Sequence, residues 1–286
     1  MPILIDGKQV ARSLRKDVRR RARKLSAAGV TPGLAVVLVG DHPASAIYVR
    51  IKERMAQKAG IHSRVVRLPA KTTQAEIDAV IDALNADMEV HGILVQLPLP
   101  AHIDVQQTIA GLDPAKDVDG LHPHNAAALL RRQDGLSPCT PRGILHLLRA
   151  YDVPIEGRHA VILGRSAIVG RPLGALLLAA NATVTTCHRH TLDSAYHARQ
   201  ADILISAVGV PGLVTSDWVR QGATVIDVGI NRLPDGKIVG DVSPSGAAKA
   251  AMITPVPGGV GPMTVASLLA NTVEATERAQ RRATGY

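Results

Sequence analysis

The sequence contains no phenylalanine, and tyrosine and tryptophan are also scarce, with four and one residues respectively. A hydrophobic core must therefore be assembled from aliphatic side chains and alanine. Hydrophobic residues make up 46% of the chain and charged residues 20%, which is an ordinary balance for a globular protein. An aliphatic core of this kind suits parallel strands that are buried on both faces of a sheet.

Cysteine is limited to Cys139 and Cys187, and neither lies in a CxxC or Cys/His zinc spacing. We therefore expect no disulfide framework and no metal site. Few cysteines are typical of a reduced, cytoplasmic protein. Long apolar runs are missing too, and the first residues do not form an apolar signal region, so we expect a cytoplasmic location and no membrane partner.

Acidic side chains are too few to balance the basic ones, and the net charge is +9. Residues 1–30 hold nine basic and two acidic side chains, which accounts for +7 of that excess. Apolar residues recur there every three to four positions, so the segment is predicted to be one amphipathic helix with a basic, solvated face. Nucleic-acid binding is a weaker alternative, because the aromatic side chains that stack on bases are missing.

The first half of the chain alternates apolar runs with amphipathic stretches. LAVVLVG (34–40), RVVRLP (64–69) and HGILVQLPLP (91–100) are predicted strands, and helices are predicted over 44–60 and 73–87. This βαβαβ order is typical of a parallel sheet. The Asp-, Pro- and Gly-rich segment 110–125 is predicted to be a loop, after which Thr140 is a candidate N-cap and Pro141 a candidate first helical residue.

A second alternation begins at HAVILG (159–164) and gives three more short strands, ATVTTCH (182–188), ADILISAVG (201–209) and ATVIDVG (223–229). We predict an α/β protein of two domains: an N-terminal α/β domain over 1–138 and a Rossmann-like domain over 139–262. Pro262 is predicted to open a long C-terminal helix (263–286) that packs back on the first domain.

The segment HAVILGRSAIVGRPLG (159–174) reads as a strand, a tight turn and a helix, the arrangement that binds a pyrophosphate at the helix N-terminus. The GxGxxG fingerprint is incomplete, because Ser166 stands at the second glycine position and Gly170 comes one place late. The next strand ends in HRH (188–190), with no carboxylate for a ribose 2′-hydroxyl. Arg165 and Arg189 instead favour a 2′-phosphate, so NADP is the predicted cofactor.

Polar residues also gather in the predicted first domain. Tyr48 and Lys52 are four apart on a predicted helix face, with Ser45 three before the tyrosine, and Gln96 ends an apolar strand. With an aspartate of the KDVDG segment, they form a set suited to proton transfer without a metal, although a solvated lysine is the commoner outcome. The YxxxK pair also occurs in short-chain dehydrogenases, but there it follows the glycine-rich turn, whereas Tyr48 precedes Gly164 by more than a hundred residues.

Several motifs together resemble one family from end to end. They are SAIYVRIK (45–52), GILVQLPLP (92–100), KDVDG (116–120), PCTPRG (138–143), GRSAIVGRP (164–172), VIDVGIN (225–231), GDV (240–242) and PVPGGVGPMT (255–264). The chain thereby resembles the bifunctional methylenetetrahydrofolate dehydrogenase/methenyltetrahydrofolate cyclohydrolases. The resemblance implies a folate-binding catalytic domain and a Rossmann-like NADP-binding domain with a cleft between them. It also implies NADP-dependent oxidation of 5,10-methylenetetrahydrofolate, hydrolysis of the product to 10-formyltetrahydrofolate, a place in one-carbon metabolism and purine biosynthesis, and a homodimer.

The resemblance also implies roles for individual residues. Lys52 would be the catalytic acid/base, Gln96 would hold it, Tyr48 would align the folate and Asp119, rather than Asp117, would grip the pterin ring. The remaining expected substrate contacts are Val95, Leu97, Pro257, Gly258, Gly259 and Pro262. The expected NADP contacts are Gly164, Arg165, Ser166, Arg189 and Ile230.

Overall fold

A computed structural model describes residues 1–41 and 43–284, which form two compact units. Residues 13–139 and 265–286 form the three-stranded unit, and residues 1–12 and 140–264 form the six-stranded unit, each named after its main sheet. Gly285 and Tyr286, the last residues of the predicted C-terminal helix, lie outside the described residues.

The secondary-structure elements follow the predicted alternation. The strands are β1 Ile3–Leu4, β2 Gly33–Val39, β3 His62–Leu68, β4 Gly92–Val95, β5 His159–Leu163, β6 Thr183–Cys187, β7 Ile203–Ser206, β8 Thr224–Asp227, β9 Asn231–Arg232, β10 Ile238–Val239 and β11 Met252–Ile253. The helices are α1 Gly7–Ala27, α2 Pro43–Ala59, α3 Gln74–Ala86, α4 Val105–Ala110, α5 Pro123–Leu130, α6 Cys139–Ala150, α7 Gly170–Ala179, α8 Ser194–Ala198, α9 Pro244–Lys249 and α10 Val260–Thr284.

The three-stranded unit has a parallel sheet in the order β3-β2-β4, with the fully buried β2 at its centre. Alternate residues of β2 face opposite sides, as the period of two requires. Leu34 and Val36 pack in a cluster with α1, α2 and α10, whereas Val37 packs with α3 on the other face. The C-terminal helix therefore supplies part of this unit's core.

The six-stranded unit has a parallel sheet in the order β1-β11-β8-β7-β5-β6, and its four predicted strands are β5 to β8. The first residues of the chain, predicted with the first half, lie in this unit. The reason is backbone pairing, since Ile3 and Leu4 of β1 are in register with Met252 and Ile253 of β11. A two-residue strand has no periodicity from which this pairing could be predicted.

Two predicted helix starts were wrong by two residues each. The helix at PCTPRG begins at Cys139, so Thr140 lies in its first turn and is not its N-cap, and α10 begins at Val260 rather than at Pro262. Proline is tolerated within a first helical turn because the N–H groups there have no intrahelical partner. Among the described residues, no helix combines the length and the apolar character needed to cross a membrane.

Candidate active site

A lysine and a glutamine meet in the three-stranded unit. Lys52 comes from the middle of α2, and Gln96 directly follows β4 at the carboxyl edge of the sheet. The Lys52 Nζ donates to Gln96 Oε1 at 2.9 Å, and Gln96 Nε2 donates to the Leu97 carbonyl oxygen at 2.6 Å. Because its amide is held by its neighbour's backbone, Gln96 presents a fixed acceptor to the lysine.

Asp119 completes this group and lies within electrostatic reach of Lys52. Burial lowers the pKa of Lys52 from its ordinary value, and the negative charge of Asp119 opposes that shift only in part. Burial likewise raises the pKa of Asp119, while Lys52 pulls it down and Asp117 pushes it up. Both groups are therefore biased towards their neutral forms, which eases proton exchange near neutral pH.

The two aspartates of the KDVDG segment have different surroundings. Asp117 is buried, and its carboxylate accepts hydrogen bonds from the N–H groups of Gly120 at 3.1 Å and His122 at 2.7 Å and from Asn125 Nδ2 at 3.0 Å. These bonds commit Asp117 to holding the loop. Asp119 is half-buried and its carboxyl lies beside Lys52, and its contact with the pterin ring stays a prediction.

Cys139 is a neighbour of this group that sequence reasoning did not assign to it. Its buried Sγ hydrogen-bonds the Val118 carbonyl oxygen at 3.2 Å and also interacts with the Asp119 carboxyl. Asn271 of α10 donates to the same carbonyl at 2.8 Å and to that of Ser137 at 2.9 Å. The only sequence signal was the position of Cys139 within the PCTPRG motif.

The other predicted folate contacts of this unit differ in exposure. Tyr48 is 45% exposed, so its ring is available to a ligand. Val95 is 2% exposed and packs in the core beneath the sheet, so only its backbone is free to contact a ligand. Leu97 is half-buried, and its carbonyl oxygen holds Gln96.

The six-stranded unit contains a cavity of about 680 Å³ at the carboxyl ends of β5, β6 and β7. Its lining includes Gly164 and Arg165 from the turn after β5 and Arg189 from the end of β6, together with the apolar Val208, Val210, Leu213 and Trp218. Two guanidinium groups beside an apolar wall suit a ligand that joins a phosphate to a flat ring.

Glycines explain how the turn after β5 functions without the usual fingerprint. Gly164 has a φ of +112°, and a Cβ there would lie 2.4 Å from the Ala207 carbonyl oxygen. A Cβ on Gly170, at the start of α7, would lie 2.1 Å from the Gly164 carbonyl oxygen. Ser166 Oγ accepts from the N–H groups of Val169 at 3.2 Å and Gly170 at 3.4 Å. The late glycine thus allows the close helix–strand contact, and the serine braces the turn.

The histidines around Arg189 are bonded within their own segment. The Arg189 Nε donates to His190 Nε2 at 3.0 Å, and the His190 N–H donates to His188 Nδ1 at 3.2 Å. Among the described residues, no group of three or more His, Cys, Asp or Glu side chains has a geometry that would hold a metal ion.

The remaining predicted contacts also belong to the six-stranded unit. Ile230 follows β8 and is 55% exposed. Pro257 is exposed, Gly258 and Pro262 are half-buried, and Gly259 is buried where a Cβ would meet Thr254 at 2.6 Å. Contact with the folate substrate stays a prediction for four of these residues, Pro257, Gly258, Gly259 and Pro262.

Comparison with known proteins places both units in one family. Residues 5–119 match the model of the tetrahydrofolate dehydrogenase/cyclohydrolase catalytic domain, and residues 138–280 match that of the tetrahydrofolate dehydrogenase/cyclohydrolase NAD(P)-binding domain. A bifunctional protein FolD from Methylibium petroleiphilum is 54% identical over 275 residues, which cover 96% of this chain and 97% of that protein.

Two solved structures are also similar over nearly the whole chain. The bifunctional FolD methylenetetrahydrofolate dehydrogenase/cyclohydrolase of Campylobacter jejuni has a TM-score of 0.96 at 47% identity and covers 98% of this chain and 100% of its own. The Trypanosoma brucei enzyme, a methylenetetrahydrofolate dehydrogenase-cyclohydrolase solved with NADP and an inhibitor, has a TM-score of 0.93 at 40% identity, with coverages of 98% and 99%.

Proposed function

The chain belongs to the tetrahydrofolate dehydrogenase/cyclohydrolase family, and on that premise we propose that it is a bifunctional enzyme. It oxidises 5,10-methylenetetrahydrofolate to 5,10-methenyltetrahydrofolate with NADP, and it hydrolyses that product to 10-formyltetrahydrofolate. The observation that carries the proposal is the group formed by Lys52, Gln96 and Asp119, because it offers proton transfer without a metal. Both halves of the chain match this family, so the short-chain dehydrogenase alternative is set aside.

The residues around the turn after β5 fit NADP. Gly164 lets the turn pass close to the Ala207 carbonyl oxygen, where a Cβ would clash. The turn lies at the amino end of α7, where the helix dipole favours a phosphate group. Arg165 and Arg189 would hold the 2′-phosphate by charge-assisted hydrogen bonds. When bound, NADP supplies the acceptor for the hydride that leaves the methylene carbon.

Lys52 is the proposed acid/base of the hydrolytic step. Water adds to the methenyl carbon and loses one proton, which gives a neutral hydroxyl adduct. One ring nitrogen of that adduct then gains a proton and its bond to the carbon breaks, while the hydroxyl group releases its proton to solvent and becomes the C=O of the formyl group on the other nitrogen. A lysine whose pKa is lowered by burial is suited to accept and return that proton at Nζ. Gln96 Oε1, at 2.9 Å, fixes where the Nζ points.

Asp119 and Tyr48 have proposed substrate-binding roles. A carboxyl group presents acceptors, and when protonated also a donor, to the N–H-rich edge of a pterin. Its raised pKa makes the protonated form accessible. The exposed ring of Tyr48, one helical turn before Lys52, would stack on the substrate and align it.

We also propose a cytoplasmic homodimer that takes tetrahydrofolate derivatives and does not bind nucleic acid. Two buried cysteines that form no disulfide with each other support a reducing compartment. The homodimer is supported by the family resemblance alone.

An assay of the purified protein tests the proposed function. Methylenetetrahydrofolate is supplied with NADP or with NAD, and the methenyl and NADPH absorbances are followed together. We expect NADP to be reduced as methylenetetrahydrofolate is oxidised. We also expect added methenyltetrahydrofolate to be consumed faster than without protein. Absence of both reactions would contradict the proposal, whereas equal rates with NAD would contradict only the assigned cofactor.

A further inference from the structure

Two buried aspartates of the six-stranded unit are not used by the proposed chemistry. Asp227 ends β8, and Asp241 follows the β9–β10 hairpin within the GDV motif. Ser206 at the end of β7 is in register with Asp227, so both strand ends lie at the carboxyl edge of the sheet. Ligands of doubly wound sheets bind at this edge.

Asp241 is fully buried, and its side chain accepts four hydrogen bonds from two segments of the chain. Its Oδ2 accepts from Ser206 Oγ at 3.1 Å and from the N–H groups of Val208 at 2.9 Å and Gly209 at 3.2 Å. Its Oδ1 accepts from Asn231 Nδ2 at 2.9 Å. One carboxylate therefore ties the loop after β7 to the loop after β8.

Asp227 in turn holds the segment that carries Asp241. Its Oδ1 accepts from the N–H groups of Asp241 at 2.9 Å and Gly229 at 3.0 Å, and its Oδ2 accepts from that of Val242 at 2.9 Å. The backbone of Asp227 is itself bonded to the Thr254 hydroxyl, which accepts its N–H at 2.8 Å.

The two motifs fit each other reciprocally through their glycines. A Cβ on Gly240 of GDV would lie 1.8 Å from Asp227 Oδ2, and a Cβ on Gly229 of VIDVGIN would lie 2.2 Å from Asp241 Oδ1. Each aspartate thus occupies the space that the other motif's glycine leaves open, so neither motif adopts its observed path without the other.

Keeping two carboxylates in contact costs stability. The pKa of Asp227 is raised to about 6, chiefly by burial and to a smaller extent by the charge of Asp241, while three backbone N–H bonds oppose the shift. Hydrophobic residues would fill the same volume without this cost. The two aspartates order N–H groups of the neighbouring loops. One of these is the N–H group of Val208, a residue that lines the 680 Å³ cavity.

We propose that Asp241, braced by Asp227, is a positioning residue for cofactor binding. It fixes the loop of residues 207–212, which includes the cavity-lining Val208 and Val210, and the loop of residues 228–231, which includes the exposed Ile230. The inference rests on NADP as the cofactor of the proposed function. Asp241 acts through these loops and does not itself touch the ligand.

The test compares Asp241→Asn with the wild type in two ways. The variant keeps the shape of the side chain but turns an NH₂ group towards either Asn231 or the Val208 and Gly209 N–H groups. We expect the dissociation constant for NADPH, followed by its fluorescence, to rise about tenfold or more, with a parallel rise in KM for NADP. Hydrolysis of added methenyltetrahydrofolate uses no NADP, so its kcat/KM is expected to stay within about twofold.

Two further variants keep the inference falsifiable. Asp235→Asn changes an exposed aspartate of the β9–β10 turn and is expected to leave NADPH binding unchanged. If Asp241→Asn does not fold, the same two measurements are made on Asn231→Ala. This variant removes only the hydrogen bond from the Asn231 side chain to Asp241.

An unchanged dissociation constant for NADPH in the decisive variant would overturn the inference. An equal loss of NADPH binding and of hydrolysis would also overturn it, since it would show a structural role only. Failure of the proposed function is distinguishable from failure of this inference. A wild-type protein that binds NADPH but converts no folate would contradict the enzyme assignment, and the NADPH dissociation constants of variant and wild type would still decide the inference.

Discussion

At the scale of single residues, the chemistry of Lys52 is decided by two opposing effects. Burial penalises the charged amine, and the neighbouring Asp119 carboxylate favours it. Burial has the larger effect, so the pKa of Lys52 is lowered, and burial also raises the pKa of Asp119. The Gln96 amide adds no charge to this balance and serves to orient the Nζ.

Arg165 allows the assigned cofactor to be tested by one substitution. Arg165→Ala removes one of two guanidinium groups beside the cavity, and a charge-assisted hydrogen bond to phosphate is worth about 1.5–3 kcal/mol. We expect KM for NADP to rise roughly tenfold or more while KM for NAD changes by less than about threefold. Steady-state kinetics with both dinucleotides measure this, and the exposed Arg158, changed to alanine, is the control. Equal effects on NADP and NAD would remove the reason for assigning NADP.

Sequence reasoning reached the residues whose placement follows from regular structure. Lys52 and Gln96 meet because a helix face and a strand end are set by simple periods. The Asp227–Asp241 pair was not predicted, because its contacts depend on the paths of two irregular loops. Cys139 was missed for the same reason, since its partners lie in the irregular chain around Val118. The assigned ligand contacts, from Tyr48 to Ile230, stay predictions.

At the scale of elements, the KDVDG loop is anchored at its first residue, Lys116. The Lys116 Nζ donates to the carbonyl oxygens of Leu84, Asn85 and Asp87 at 3.3, 2.7 and 2.8 Å, which closes the C-terminus of α3. The Lys116 carbonyl oxygen accepts from the Ile93 N–H of β4 at 2.7 Å. The loop that presents Asp119 is therefore anchored to a helix end and to a strand.

Lys116→Met tests this anchor. The substitution keeps the aliphatic stem and removes a cation from a helix C-terminus, together with three hydrogen bonds, so we expect the free energy of unfolding to fall by about 1–3 kcal/mol. Urea denaturation measures the loss. Lys58→Met, at an exposed position in the last turn of α2, is the matched control with an expected change below about 0.5 kcal/mol. Equal stability of the two variants would contradict the anchoring role.

His91 links the beginnings of β2 and β4 and makes that contact sensitive to pH. Its Nδ1 accepts from the Gly33 N–H at 3.1 Å, which requires the neutral ring. Burial, and then the charge of Lys116, lower the pKa of His91 below its ordinary value of 6.5. The folded protein thus binds fewer protons than the unfolded chain, and the contribution of His91 is lost as pH falls through 6.5 towards the lowered pKa.

We therefore expect the free energy of unfolding of the wild type to fall more steeply than that of His91→Gln between about pH 8 and about pH 5. Urea titrations across this range measure the difference. His124→Gln, at an exposed histidine, is expected to keep the wild-type slope. Identical slopes for wild type and His91→Gln would contradict the assigned pKa shift.

At the scale of the whole molecule, the excess of positive charge lies mainly on α1. Arg21 of this helix pairs with Glu277 of α10 through bonds of 2.9 and 2.7 Å, while Arg19, Arg20, Arg23 and Lys24 are exposed. The charge thus lies on one solvated helix face, and none of the proposed folate and NADP contacts belongs to α1.

We expect no retention of the protein on duplex DNA at about 150 mM salt, because a phosphate-binding face without base contacts binds weakly at that ionic strength. Chromatography on immobilised DNA at rising salt measures this. Salt-dependent retention that disappears when Arg19, Arg20, Arg23 and Lys24 are replaced by glutamine would contradict the expectation and restore the nucleic-acid alternative.

Replacing Lys52 by methionine, with hydrolysis and NADPH binding measured on the same preparation, separates proton transfer from cofactor binding. Methionine keeps most of the stem and cannot carry a proton, so hydrolysis of methenyltetrahydrofolate should fall at least about a hundredfold. The dissociation constant for NADPH should stay within about twofold, because the NADP contacts assigned above lie in the six-stranded unit. Hydrolysis at the wild-type rate in Lys52→Met would contradict the role proposed for this lysine.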